Sequence, residues 1–208
     1  APARAVAAKS SGGGIGGTGS VATVSSGPVT KFGSVFVSGT EYDNSHAIYC
    51  LDDDPCGSES KLKLGMVVLV NGTTTESYSN NQPVRHIADK ITYEETAEGT
   101  VQSVAADGLS VTVLGQVIHI DQKTIIDASI PEQSIAKLTP QHRIEVSGFV
   151  VGDGHILATL IMLQTGTPHY EVQGTIKSHD IAAKTFDIGA LRIDYSTADI
   201  SQMPPTTP

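Results

Sequence analysis

The feature that most constrains this chain is that it repeats. Three segments open on a glycine-led β-prone run, Gly27-Pro-Val, Gly99-Thr-Val and Gly174-Thr-Ile, which sets them 72 and 75 residues apart. Behind each opening the same pieces recur in order. Gly33-Ser-Val-Phe-Val-Ser-Gly39 with Tyr42-Asp43 is echoed by Leu109-Ser-Val-Thr-Val-Leu-Gly115 with Ile120-Asp121, and again by Thr185-Phe-Asp-Ile-Gly189 with Ile193-Asp194. Leu62-Lys-Leu-Gly-Met-Val-Val-Leu-Val-Asn-Gly72 is echoed by Ala136-Lys-Leu-Thr-Pro-Gln-His-Arg-Ile-Glu-Val-Ser-Gly148. Ile87-Ala-Asp-Lys-Ile-Thr-Tyr93 is echoed by Ile156-Leu-Ala-Thr-Leu-Ile-Met162. Self-similarity at this spacing means one supersecondary unit used several times.

Inside each unit the pattern is β. Val35 and Val37, Val111 and Val113, and Val117 with Ile120 alternate about turn residues, and Met66-Val-Val-Leu-Val70 reads as a buried strand ended by Asn71-Gly72. Asn71-Gly-Thr73 also fits a glycosylation acceptor, but Asn-Gly is turn chemistry and a turn is expected. A short helix fits only near Ser58–Leu64 and Pro131–Leu138, the latter with Pro131 at the first helical position. Five strands with a short helix between the third and fourth is the order of a small OB-like barrel. The expected fold is therefore all-β: tandem OB-like β-barrels, two complete (27–96 and 97–169) and one partial (170–208). Residues 1–26 are rich in Ala, Gly and Ser and predict a flexible arm, with 20–24 its β-prone part. Their match to G-x-G-x-x-G at Gly12, Gly14 and Gly17 lacks the strand and helix a nucleotide site needs.

Units one and two resemble a bacterial domain of unknown function found in tandem in exported, often lipid-anchored proteins. The resemblance rests on Gly-x-Val, Phe-Gly-Ser-Val-Phe-Val-x-Gly, Leu-x-x-Gly-Met-Val-Val-x-Val-x-Gly and a closing Ala-x-x-Ile. It covers roughly residues 27–165, and 170–200 in part. Membership implies OB-like β domains outside the cytoplasm and brings no known catalytic residues. A lipid-attachment Cys ahead of the Gly-rich arm, present in many relatives, has no counterpart before Gly12.

The third unit reaches Pro208 about 35 residues after its opening glycine, where its siblings run twice as far. Three strands without their closing pair leave open edges and an apolar face, templates for pairing with another chain. Truncation is one account. The other is completion by a neighbouring molecule, with Val21, Ala22, Thr23 and Val24 as donor strand and Ile176, Phe186, Ile188, Leu191 and Ile193 as the acceptor unit. Head-to-tail donation does not close and builds a filament. The expected function is thus a non-catalytic extracellular structural protein, a self-assembling filament or surface subunit. The alternative is a monomeric periplasmic or surface-attached module binding a glycan or envelope protein through an OB groove.

Charge narrows the partners. Thirteen Lys and Arg stand against 22 Asp and Glu, and each unit beyond residue 26 is acidic by itself, so counterion release cannot drive nucleic-acid binding. No apolar run is long enough for a transmembrane helix. Cys50 and Cys56, in Cys-Leu-Asp-Asp-Asp-Pro-Cys, predict a small disulfide-closed loop in an oxidising compartment. The start at Ala1 fits a processed, exported chain. Asp52-Asp-Asp54 lacks the staggered spacing of a Ca²⁺ loop. The seven histidines form no i, i+2 or i, i+4 pair, so a metal site would need their convergence in space. No catalytic residue, metal ligand or cofactor is assigned, and the chain is read as not an enzyme.

Overall fold

The computed structural model describes residues 6–7, 19–52, 54–76 and 83–201, with backbone alone at 6, 7, 19, 54–56 and 76. It is all-β. The first sheet holds β1 (Val6–Ala7), β2 (Gly19–Lys31), β3 (Val35–Val37), β4 (Thr40–Tyr42), β5 (Ile48–Leu51), β6 (Asp54–Gly57), β7 (Val67–Glu76) and β8 (Arg85–Tyr93). Its order is β4-β3-β2-β7-β8-β5-β6, antiparallel except where β5 runs beside β8. A parallel bridge between Asp43 and Ile87 returns the end of β4 to β8, so the pairings form a ring. The second sheet holds β9 (Ala97–Val104), β10 (Ser110–Val113), β11 (Gln116–His119), β12 (Ile125–Ile126), β13 (Arg143–Gly152), β14 (His155–Leu163) and β15 (Glu171–Val172). Here β9, β10, β11, β14 and β13 pair in turn and β13 returns to β9. The third sheet is the meander β16 (Ile176–Asp180), β17 (Thr185–Ile188) and β18 (Leu191–Asp194).

Each ring is bent by a bulge at one glycine. Asn71-Gly72 and Ser147-Gly148, expected to end their strands, lie in the middle of β7 and β13. The register slips there: Asn71 faces Lys90 but Gly72 faces Ala88, and Ser147 faces Leu160 but Gly148 faces Ala158. A Cβ at Gly72 would stand 2.0 Å from the Ile87 carbonyl oxygen, and one at Gly148 2.3 Å from that of Leu157. Glycine is there because the partner backbone occupies the side-chain position, the usual reason for glycine at a bulge. The echo of Ile87–Tyr93 also moves by one residue, since Ala88 and Ala158 take the same place opposite the bulge.

The extra residue on the partner strand, Asp89 or Thr159, exchanges the faces of that strand. Ile156, Ala158 and Ile161 enter the second core, whereas Leu160 and Met162 enter the first, beside Met66 and Val68. The equivalent residues of β8, Lys90 and Thr92, are not buried. One strand of the second unit thereby supplies part of the first unit's interior. Ser147 Oγ accepts from Val67 N at 2.8 Å, and Thr159 Oγ1 donates to the Gly65 carbonyl at 2.6 Å, fixing the contact.

Four expectations need correction. The arm is a strand from Gly19 onward: β2 pairs with β7 from Gly19–Glu76 to Pro28–Val67, because the polar β-branched run Thr73-Thr-Thr75 gives it a long partner. The two helical stretches hold only 3₁₀ turns, one at Glu59–Lys61 and two in the second stretch, at Pro131–Gln133 and Ile135–Lys137. Glu171–Val172 belongs to the second sheet, where it pairs with Glu98 and Ala97. The apolar face of the third sheet is not laid bare. Ile188 is buried and Phe186, Leu191 and Ile193 are half-buried, while Ile176 is exposed.

Candidate functional site

Two places in this fold go beyond packing. The first is a carboxylate cluster where the first two units join. Glu98 in β9 stands directly across from Glu145 in β13 on one side and from Glu171 in β15 on the other. Cross-strand partners share a face, so three like charges lie side by side, an arrangement that costs stability unless it is neutralised. Glu98 and Glu145 are buried, 3% and 4% exposed. Arg143 Nε donates to Glu98 Oε1 at 3.2 Å and its Nη2 to the Thr167 carbonyl. Tyr93 Oη donates to Glu145 Oε1 at 2.5 Å, and Gln164 Nε2 donates to the other oxygen. Burial pushes the carboxyls of Glu98, Glu145 and Glu171 above their ordinary range, against the lowering influence of Arg143 on Glu98, of Tyr93 and Gln164 on Glu145, and of His169 and Gln173 on Glu171.

Beside this ladder lies Glu95, in the connection from β8 to β9. It is 1% exposed, and neither carboxylate oxygen has a hydrogen-bond partner. Its backbone is locked: its carbonyl accepts from Gln173 Nε2, and Thr96 bonds through N to Val146 and through Oγ1 to Gly148. The turn between β5 and β6 brings in Asp52, whose N donates to the Tyr93 carbonyl at 2.9 Å and whose φ of 54° turns the chain sharply. His169, from the connection between β14 and β15, puts Nδ1 3.3 Å from Glu95 Oε1 and 3.9 Å from Glu98 Oε2. One ligand atom each from Asp52, Glu95 and His169 lies within 4.8 Å of the others. Burial first, then the charges of Glu171 and Asp52, push the Glu95 carboxyl up to about 8.

The second place is the third sheet. It docks on the second unit through Gln116, whose Nε2 donates to the Ile188 carbonyl at 2.7 Å, and through a close approach of Gly154 and Gly189. On its other flank Phe186, Tyr195 and His179 form an aromatic group, with His179 Nε2 and Tyr195 Oη 2.7 Å apart. The outer edges of β16 and β18 have no pairing partner among the described residues.

The residues singled out from sequence are distributed unevenly over these places. Ile176, Phe186, Ile188, Leu191 and Ile193 share the third sheet, with Ile176 paired to Ile188 and Phe186 to Ile193. Val21, Ala22, Thr23 and Val24 lie far from them in register, on β2 opposite Thr74, Thr73, Gly72 and Asn71. Cys50 and Cys56 fall on adjacent antiparallel strands, with Tyr49 opposite Gly57, and the side chain of Cys56 lies outside the described residues. Histidines do converge in space: His119 and His155 stack at a ring separation of 5.1 Å, and His169 joins the carboxylates. Glu95, Glu98 and Glu145 were not singled out. The available signal was a glutamate between two β-branched residues at Ile144-Glu-Val146 and one at the glycine-led opening of the second unit, Ala97-Glu-Gly99.

Residues 98–162 match the model of a family described as a domain of unknown function (DUF5666). No curated protein and no solved structure matches the chain.

Proposed function

We propose that this is a non-catalytic structural protein of a bacterial surface or extracellular space, built from OB-like units, which assembles through its third sheet. The strand pairings support the OB-like reading. In both rings the first strand pairs with the second and fourth, and the fourth with the fifth; the third meets the fifth in parallel, through β11–β14 in the second ring and through the single Asp43–Ile87 bridge at the end of β4 in the first. The observation that carries the assembly reading is the pair of edges on β16 and β18 that have no partner among the described residues. They occupy the places of β9 and β11, which in the second ring are sealed by the hairpin β13–β14. A hairpin from a second copy fits that gap by strand addition. Val21–Val24 are held in β2, so the donor in this reading is a hairpin and not the arm.

Negative-stain microscopy and light scattering of the purified chain test the proposal. Polymers that Ile193→Lys disperses support it, because a lysine on an edge strand discourages pairing. A chain that stays monomeric and forms no fibres overturns it. A second reading, a groove-binding module, is supported by the cavity of about 410 Å³ between the first two units. Leu64, Ile125 and Phe149 line it and are partly exposed, which suits an apolar side chain of a protein partner more than a glycan. Binding by a monomer, weakened by Phe149→Ala, separates this reading from the first.

A further inference from the structure

We propose that Asp52, Glu95 and His169 bind one divalent transition-metal ion, best matched by Zn²⁺, which braces the turn of the first unit against the two connections that leave it and the second. The reasoning starts from Glu95. A carboxyl group at 1% exposure that makes no hydrogen bond through either oxygen, and has only the His169 ring at 3.3 Å beside one of them, is costly, and it persists where something outside the chain completes it. Gln173 and Thr96 hold the backbone at Glu95, so its Cα stays fixed at the junction. Around it the balance of charge is one-sided: Asp52, Glu98, Glu145 and Glu171 gather there, and Arg143 is committed to Glu98 and Thr167.

The spacing of one ligand pair suits a tetrahedral ion, and the third is near enough to close on it. With metal–ligand distances of about 2.0–2.1 Å, neighbouring ligand atoms in such a site stand about 3.3 Å apart. Glu95 Oε1 and His169 Nδ1 are 3.3 Å apart already, and Asp52 lies within 4.8 Å of both. One imidazole with two carboxylates is a donor set of zinc and its first-row neighbours; Ca²⁺ and Mg²⁺ take all-oxygen sites. Asp52 is exposed and His169 half-exposed, so the ion has an entry path while Glu95 forms the floor. Three protein ligands leave the fourth position to water. Glu98, 3.9 Å from His169 Nδ1 and oriented by Arg143, stands behind the ligands as a group that steadies them.

The test uses the full chain, stripped with chelator and titrated with ZnCl₂ by calorimetry, with thermal unfolding in parallel. One Zn²⁺ per chain and a raised Tm are expected, since an ion that binds only the folded state stabilises it. Glu95→Gln and His169→Ala should each weaken binding by ~10-fold or more. His169→Ala removes a half-exposed side chain, so it reports on the site even where Glu95→Gln disturbs folding. Millimolar Mg²⁺ or Ca²⁺ should not displace the ion, and His119→Ala, at the other histidine pair, should leave binding unchanged. The proposal is overturned by the absence of binding, by equal competition from Ca²⁺, or by binding that His119→Ala abolishes and His169→Ala leaves intact.

Discussion

Replacing Tyr93 by phenylalanine isolates one atom at the junction of the two units. Tyr93 is 2% exposed and Glu145 4%, and the phenol donates to Glu145 Oε1 at 2.5 Å. Phenylalanine keeps the ring and opens no cavity, so the change is the loss of one donor to a buried carboxylate. Hydrogen bonds to charged groups are worth about 1.5–3 kcal/mol, which gives an expected loss of about 2 kcal/mol at pH 7.5. The pH dependence fixes the sign. Burial raises the Glu145 carboxyl in the folded chain above its unfolded value, so its contribution to stability falls as pH rises from the unfolded pKa toward the folded one. The Tyr93 bond opposes that rise, and removing it lifts the folded pKa further. The cost of Tyr93→Phe should therefore be smaller at pH 5 than at pH 7.5. Urea unfolding in chelator-containing buffer at the two pH values measures it, and the same substitution on Glu145→Gln should cost less. A loss below about 0.5 kcal/mol at pH 7.5, or a larger loss at pH 5, refutes this account of the junction.

Other consequences can be measured directly. Gly72→Ala and Gly148→Ala push a methyl into the facing carbonyls and should each cost about 3 kcal/mol or more, read as loss of soluble, cooperatively unfolding protein. Gln116→Ala leaves the Ile188 carbonyl without its donor; limited proteolysis should then cut the third sheet while the first two units survive, at a cost of about 1–3 kcal/mol. Leu160→Ala should cost about 2–5 kcal/mol and alter the NMR environment of Met66 and Val68 in the first unit, although the mutation lies in the second. Mass spectrometry without reductant should show the loss of two hydrogens if Cys50 and Cys56 are joined; an unchanged mass on reduction removes that pairing.

The strands were readable because alternating β-branched residues and turn glycines act locally, and Val35, Val37, Val111 and Val113 all became core. Asn71-Gly72 was misread as a turn since the same dipeptide serves a hairpin or a bulge, and only the partner carbonyl that crowds it decides which. The arm was misjudged for a related reason. Val21–Val24 have little to bury alone, and their order comes from a partner, β7, some fifty positions away in the chain. The carboxylate site was the least legible part. Asp52, Glu95 and His169 come from three separate connections, and no spacing rule links residues that meet only when two units dock. The clue beside it depends on register: only once Ala88 is set against Ala158 do Lys90 and Thr92 stand where the sibling carries Leu160 and Met162, a polarity change that marks a contact surface.

Because β14 faces two interiors, it acts as a party wall. A boundary drawn between the repeats would strip the first of Leu160 and Met162 and leave the second with those side chains facing water. Neither repeat is therefore a portable part. Insertion, swapping or shuffling of one without its neighbour exposes an unfinished side, and mutational drift in the shared strand must satisfy both rooms at once.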